Sequence, residues 1–131
     1  MNPEQRIAIV KDFLNKLGAL EIEAACEHVA EDAVMLFPYL SQPGPYEGRQ
    51  RIFEQFNSTL PAFWERMEFS YRQWYSCDDD TTVIGEFDSR AIQKGNTGTY
   101  ANQYIAVFQF RGDKLTLIKE YFNPALLTVK I

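Results

Sequence analysis

Histidine, cysteine and positive charge are all scarce in this chain of 131 residues. His28 is the only histidine, which excludes zinc and iron sites that need two histidines and any Ser/His/Asp triad built on another histidine. Cys26 and Cys77 lie far apart and lack the paired spacing of a zinc site or a disulfide framework. We therefore expect free thiols and no bound metal.

Acidic residues outnumber basic ones, 18 to 13, and the net charge is -5. This balance disfavours a phosphate backbone or an anionic membrane surface as a partner. No stretch approaches the ~20 apolar residues of a membrane span, and the first ten residues lack the basic and apolar regions of a secretory signal. The sequence thus predicts a cytoplasmic protein that binds neither nucleic acid nor membranes.

Three helical segments come first along the chain. Asn2 is predicted to cap a helix that ends at Gly18, because apolar residues recur between them at helical spacing. A shorter helix is expected from about Leu20 to Val29. The third is expected from Arg49 to Leu60, where Pro61 stops the pattern. Between the last two lie a short strand, VMLFP, and a loop, SQPGPYEG, that should cross the mouth of the fold.

Alternating segments fill the rest of the chain: MEFSYRQWYS, VIGEFDSRAI and a long hairpin over residues 97–123. Helices followed by long antiparallel strands predict one α+β domain, residues 1–131. Its curved antiparallel sheet would wrap over the three N-terminal helices as a half-open cone. The 46% hydrophobic and 15% aromatic content is enough for a real core.

The hairpin carries most of the functional signal. Its first strand places six residues on one face: Tyr100, Asn102, Tyr104, Ala106, Phe108 and Phe110. On the return strand, Thr116, Ile118, Glu120 and Phe122 share the interior face, whereas Leu115, Leu117, Lys119 and Tyr121 face outwards. Leu115 and Leu117, with Ile105 and Val107, would leave the convex face of the sheet apolar, which predicts a homodimer through that face.

Glu120 is the anomaly of the return strand, because it lies between Ile118 and Phe122 on the interior face. A carboxyl group in an apolar cavity has a raised pKa and can exchange protons near neutral pH, which makes Glu120 the candidate catalytic residue. The alternative is a structural role, in which Arg72, Arg90 or a tyrosine hydroxyl holds the carboxylate in a static pair. An ion pair would lower the pKa instead.

The order of EDAVMLFP, YEGRQRI and the final hairpin resembles the SnoaL-like and ketosteroid-isomerase-like families of the nuclear transport factor superfamily. Within these families, TYANQYIAVFQF followed by LTLIKEYFNP is most similar to the phenazine-biosynthesis proteins of the A/B type. The resemblance implies a conical α+β barrel, a homodimer formed through the sheets, and an apolar pocket that needs no metal or organic cofactor.

The resemblance also limits the chemistry. The three positions that perform proton transfer in ketosteroid isomerases hold Phe13, Phe37 and Ala106 here, so steroid isomerisation is not expected. The phenazine-type proteins share the final-strand glutamate, which matches Glu120, but their helix histidine aligns with Gln55. Limonene-epoxide-hydrolase-like members use an Arg and an Asp on the penultimate strand and an Asp on the last one. Only the last has a counterpart here, Glu120, while Tyr104 and Ala106 replace the other two.

These observations predict a cofactor-independent isomerase, lyase or cyclase acting on a small apolar or aromatic carbonyl compound. Glu120 would move a proton while Tyr104 and Asn102 position the oxygen, although strand packing alone also explains those two residues. The other candidate ligand contacts are Phe13, Phe37, Tyr39, Gln55, Ala106, Ile118 and Phe122; core packing alone also explains the phenylalanines. The competing hypothesis is a binding protein of the same fold that changes no bond. The sequence leaves the roles of Trp64 and Trp74 open.

Overall fold

The computed structural model describes residues 1–127, so the last four residues of the predicted 1–131 domain lie outside the described residues. The helices within that range are α1 (Pro3–Gly18), α2 (Ile22–Cys26) and α3 (Arg49–Phe63). The strands are β1 (Val29–Leu36), β2 (Tyr46–Glu47), β3 (Trp64–Ser76), β4 (Thr82–Gln93), β5 (Thr99–Arg111) and β6 (Lys114–Phe122). Short 3₁₀ turns follow β4, at Lys94–Asn96, and β6, at Pro124–Leu126.

The six strands form one curved sheet in the order β2-β1-β6-β5-β4-β3, which leaves β2 and β3 as its edges. All neighbouring strands are antiparallel except β1 and β6, which run parallel. The sheet is unclosed, and the helices pack on its concave side. This arrangement confirms the predicted α+β class, with one parallel pair that the sequence did not indicate.

Helix α1 begins and ends as predicted. The Asn2 side chain accepts a hydrogen bond from the Gln5 amide, and the Gln5 side chain accepts one from the Asn2 amide, which forms a capping box. At the other end, Gly18 lies so close to β3 that a Cβ atom there would overlap the carbonyl oxygen of Met67. Only glycine therefore lets α1 meet the strand at this point.

The other two helices differ from their predicted bounds. Leu20 has a left-handed backbone, with φ 62°, so α2 starts only at Ile22, and Val29 already begins β1. Helix α3 continues two residues beyond Pro61 because the Trp64 amide still donates to the Leu60 carbonyl and closes the last turn. The loss of one donor near a helix end is tolerated there.

A β-bulge in the last hairpin corrects the predicted convex face. Phe110 pairs with Leu115, but Gln109 pairs with Leu117, so Thr116 is an extra residue in β6. The Thr116 hydroxyl donates to the Gln109 carbonyl across this irregularity. Because of the bulge, Leu115 points into the core and is fully buried, whereas Leu117 remains on the outer face. The prediction that both leucines face outwards was wrong for Leu115.

The core fills the space between the concave face of the sheet and the helices. Its largest fully buried side chains include Phe13, Phe87, Phe108, Leu14, Met35 and Ile52. On β5 the buried interior residues alternate with exposed or partly exposed ones along the whole strand, which confirms the predicted faces of that strand. Among residues 1–127, no helix combines the length and apolarity that crossing a bilayer requires.

Candidate functional site

A cavity of about 90 Å³ opens between α1, α3 and the concave face of the sheet. One water needs only ~10–15 Å³ of such volume, so the space can hold several waters or a small ligand. Its walls are mostly apolar. The lining residues include Leu14, Leu17, Leu40, Phe56, Leu60, Met67, Phe69 and Phe122.

Glu120 is the only charged side chain among the described residues that line the cavity. Its strand neighbours Ile118 and Phe122 and its cross-strand partner Ala106 are apolar. Neither a hydrogen bond nor an ion pair joins its carboxyl group to another residue within 1–127, and the two arginines considered as partners lie elsewhere. Arg72 pairs with Asp88 at 2.8 Å, and Arg90 is exposed on the outer face.

Desolvation has a direct effect on the Glu120 carboxyl group. Burial raises the pKa of Glu120 from 4.5 to about 7. A group with this pKa is present in both protonation states near neutral pH, so it can accept a proton and return it. The direction of this shift is the one expected for a carboxyl group on the interior face, whereas the catalytic role of Glu120 stays a prediction.

Two phenol groups line the same cavity. The hydroxyl oxygens of Tyr100 and Tyr104 lie 3.4 Å apart, and the Tyr104 hydroxyl is 2.8 Å from that of Ser89. Burial raises the pKa of both tyrosines, and the nearby Glu120 charge raises both further. The phenols therefore stay protonated at neutral pH, and they share one end of the cavity with the carboxyl group.

Stacked aromatic rings hold these tyrosines in place. The Tyr100 ring stacks on Trp64 with centroids 4.7 Å apart, and the Tyr104 ring stacks on Phe87 at 5.0 Å. Trp64, whose role the sequence left open, is 2% exposed and lines the cavity. Trp74 does not line it and instead lies over Gly85, where a Cβ atom would come within 2.6 Å of the indole ring.

Asn102 is buried but lies outside the cavity lining. Its amide nitrogen donates to the Tyr100 hydroxyl at 2.7 Å and to the Asn123 carbonyl at 2.8 Å. Its oxygen accepts from the backbone amides of Gln103 and Asn123. The side chain is thus fully used in joining β5 to the segment after β6, which places it behind Tyr100 rather than against a ligand.

The structure brings some of the other predicted ligand contacts together and separates the rest. Phe37, Gln55 and Phe122 join Tyr104 and Glu120 in the cavity wall. Phe13, Ala106 and Ile118 are fully buried in the core outside that wall. Tyr39 is 64% exposed on the surface, where its ring packs against Tyr121 with centroids 5.3 Å apart. The next residue, Leu40, does line the cavity, so it is the Tyr39 side chain that lies outside the wall.

Gln55 supplies a further polar group to the wall. Its side-chain oxygen accepts a hydrogen bond from Arg51 at 3.3 Å, and this contact does not use its amide nitrogen.

Tyr100 is the main wall residue that the sequence reasoning did not select, although it lies on the predicted interior face, four residues before Tyr104. Among residues 1–127, the structure contains no group of three or more His, Cys, Asp or Glu side chains that could hold a metal ion.

The sequence profile of the SnoaL-like domain matches residues 10–118, which include part of α1, all of α2 and α3, and most of the cavity wall, but not Glu120. The chain belongs to the SnoaL-like family. This SnoaL-like chain is 26% identical over 128 residues to the uncharacterized protein YesE of Bacillus subtilis (strain 168), a match that covers 95% of this chain and 85% of that protein.

Solved structures share the fold of this SnoaL-like chain. A Bacillus subtilis structure provisionally named an isomerase superposes with a TM-score of 0.85 at 23% identity, covering 94% of this chain and 89% of that one. A phenazine biosynthesis-related protein of Pseudomonas aeruginosa gives 0.78 at 17% identity, with 94% and 82% covered. An epoxide hydrolase of the LEH-like type from M. tuberculosis gives 0.77 at 16% identity, with 94% and 86% covered. At these identities the likeness concerns the fold, which is the expected cone.

Proposed function

We propose that this SnoaL-like domain is a cofactor-independent enzyme of the isomerase, lyase or cyclase type. Its substrate would be a small apolar or aromatic carbonyl compound, and Glu120 would transfer the proton. The observation that carries the proposal is the position of Glu120: a carboxyl group in an apolar cavity, with no cation beside it among the described residues. Perturbed carboxyl groups of this kind concentrate at functional sites.

The chemistry follows from the two kinds of polar group in the wall. The Glu120 carboxylate would take a proton from the carbon next to the carbonyl group. The electron pair of that C–H bond would then form a C=C bond, while the carbonyl π pair moves to the oxygen. The neutral phenols of Tyr100 and Tyr104 would stabilise the negative oxygen. In a β,γ-unsaturated carbonyl compound the resulting anion is a dienolate. Return of the proton from Glu120 to its γ-carbon shifts the C=C bond into conjugation and completes an isomerisation without an added reactant.

Turnover tests this proposal directly. A panel of small aromatic ketones and enones would be incubated with the wild type and with Glu120→Gln, and products followed by mass spectrometry and by loss of deuterium from the α-carbon. We expect α-deuterium exchange with the wild type and at least a hundredfold loss in the variant, since general-base catalysis contributes ~10²–10⁴-fold. Equal exchange in both proteins would reject Glu120 as the base.

One observation favours a second candidate function, a binding protein that changes no bond. The described wall residues include no histidine or aspartate that could act as a second proton-transfer group beside Glu120, whereas many proton-transfer enzymes use two such groups. In that case the wild type and Glu120→Gln would both retain a ligand unchanged. The absence of any product across the panel, together with saturable binding, would support this alternative.

The outer face of the sheet favours a homodimer as the working assembly. Ile105 is 42% exposed there, and Val107 and Leu117 are partly exposed on the neighbouring positions of β5 and β6. Covering this surface would stabilise the assembly by roughly 25 cal/mol for each Å² of apolar area removed from water. The proposed dimer would place the two cavities on opposite sides of the joined sheets.

A further inference from the structure

Leu20, directly after α1, has a backbone conformation that leucine rarely adopts. Its φ angle is 62°, in the left-handed region, where the Cβ atom of an L residue lies too close to the following carbonyl oxygen. Among residues 1–127, the other non-glycine residues with this conformation are Asp80 and Asn96. Both are exposed, and both have the short polar side chains that tolerate it. Leucine at position 20 is therefore the exception.

The left-handed conformation is required by the way α1 ends. The Glu21 amide donates to the Lys16 carbonyl at 2.8 Å. The Leu20 amide donates to the Leu17 carbonyl at 3.0 Å. These two bonds form a Schellman motif, in which the residue at the position of Leu20 is left-handed and is usually glycine. A glycine there would end the helix in the same way without the steric cost.

Packing in the core does not explain the leucine. Leu20 is half-buried, but among residues 1–127 it belongs neither to the clusters of buried apolar side chains nor to the side chains that pack against them. Its side chain lines the cavity instead. Leu40 and Leu60, which are also half-buried and line the same cavity, do pack against the core. The core therefore provides no stabilisation that would offset the steric cost at Leu20.

We infer that Leu20 is a specificity-determining residue, which contacts a hydrocarbon group of the ligand in the cavity. Strained residues concentrate at ligand sites, where the side chain has a use that the backbone alone would not favour. The isobutyl group of Leu20 has no donor or acceptor, so the part of the ligand that it covers is an alkyl or aryl group. Glycine, which the helix end favours, would leave that part in contact with water. The inference rests on the proposed function only in placing the ligand in this cavity.

Substitution of Leu20 tests the inference, because a ligand contact and a structural role predict different effects on stability. Leu20→Gly removes the side chain together with its steric cost. Leu20→Asn keeps a side chain of similar size that tolerates the left-handed region but is polar. Leu20→Met keeps an apolar side chain. Asn96→Gly is the matched control, since it places glycine at a left-handed position outside the cavity wall.

Thermal unfolding without ligand measures stability, and ¹⁹F NMR measures the affinity for 4-fluoroacetophenone and for fluorobenzene. We expect Leu20→Gly and Leu20→Asn to have a Tm no lower than that of the wild type. Both variants should bind both probes about threefold to tenfold more weakly, because an apolar contact is lost. Leu20→Met and Asn96→Gly should bind both probes with affinities within about twofold of the wild type.

Three results would overturn the inference. One is a Tm below that of the wild type in both Leu20→Gly and Leu20→Asn, which would assign the leucine a structural role. The second is an affinity for both probes that none of the Leu20 substitutions changes. The third is a wild type that binds neither probe.

Fluorobenzene separates this result from the proposed function, because it has no carbonyl group and no proton for Glu120 to transfer. Weaker binding of both probes by the Leu20 variants, without turnover of any ketone by the wild type, would support the contact and reject the enzyme. Turnover that is lost in Glu120→Gln, with affinities that do not depend on Leu20, would support the enzyme and reject the contact.

Discussion

Ala106 lies directly opposite Glu120 in the last hairpin, and its methyl group can neither donate a hydrogen bond to the carboxyl group nor neutralise its charge. Directly opposed side chains are the strongest cross-strand neighbours in a sheet, so this pairing decides much of the surroundings of Glu120. An arginine or serine there would have given the carboxylate a partner. With alanine at this position, the Glu120 carboxyl group has no cross-strand partner opposite it and lines the cavity.

The first prediction concerns the pH dependence of stability. The folded pKa of Glu120, about 7, lies above the value of 4.5 for the free group. The protonated carboxyl group is compatible with the fold, so its contribution is fully present below pH 4.5 and is lost as pH rises to about 7. The Glu120→Gln variant should not show this loss. The difference in free energy of unfolding, variant minus wild type, should therefore increase by up to about 3 kcal/mol between pH 4.5 and 7.5.

Urea denaturation of both proteins at several pH values measures this difference. Glu47→Gln is a suitable control, because Glu47 is exposed on β2 and lies outside the cavity wall. If Glu120→Gln instead lost stability relative to the wild type as pH rose, the carboxylate would have a cationic partner, and its assignment as a proton-transfer group would lose its basis.

The second prediction tests the bulge in β6. Leu115→Ala should lower the free energy of unfolding by about 2–5 kcal/mol, because it leaves a cavity in a fully buried site. Leu117→Ala, two residues along the same strand, should cost less than about 1 kcal/mol in the monomer, because Leu117 is partly exposed. Denaturation of both variants at low protein concentration makes the comparison. Similar costs would mean that the two leucines share a face.

The third prediction concerns assembly. The wild type should sediment as a dimer at micromolar concentration, and Ile105→Arg should sediment as a monomer, because a charge would be buried in the sheet interface. Glu86, the cross-strand neighbour of Ile105, can pair with the new arginine, so the monomer should remain folded. Thr99→Arg, at the far end of the same face of β5, should stay dimeric. A monomeric wild type would reject the dimer.

The fourth prediction concerns the end of α1. In a helix, glycine to alanine normally stabilises by about 1 kcal/mol. At Gly18 the sign should reverse, because the new methyl group would overlap the backbone carbonyl of Met67, which cannot move without disturbing β3. We expect Gly18→Ala to lower stability by about 1–3 kcal/mol in thermal or urea unfolding. A more stable variant would show that α1 does not pack this closely on the strand.

The fold could largely be predicted from the sequence wherever one side of a helix or strand is buried and the other faces solvent. Strand β5 shows this, since Tyr104 and Phe108 alternate with exposed residues along its length. Two backbone irregularities could not be predicted this way. The extra residue Thr116 in β6 is set by cross-strand pairing and leaves no mark in the hydrophobic pattern. The continuation of α3 past Pro61 depends on one hydrogen bond, from the Trp64 amide to the Leu60 carbonyl.

The candidate site was less readable. Glu120 could be selected, because an acidic residue between two apolar ones on an interior face is conspicuous. The role of Asn102 could not, since it depends on backbone groups of Asn123, 21 residues away. Tyr100 carried the same signal as Tyr104, and only the structure shows that the two hydroxyl oxygens are neighbours, 3.4 Å apart. Side-chain direction within a face is set by packing, not by alternation.

The bulge at Thr116 decides which chemistry the cavity contains. Side chains of a regular strand alternate between its two faces, so Leu115 and Glu120, five residues apart, would face opposite sides. The bulge takes up Thr116 as an extra residue, and both side chains face inwards. If Thr116 instead paired regularly with Gln109, Lys119 would lie opposite Ala106 and face inwards, and Glu120 would turn to the outer surface. In this fold, one irregular strand position therefore determines whether the cavity contains an acid or an amine.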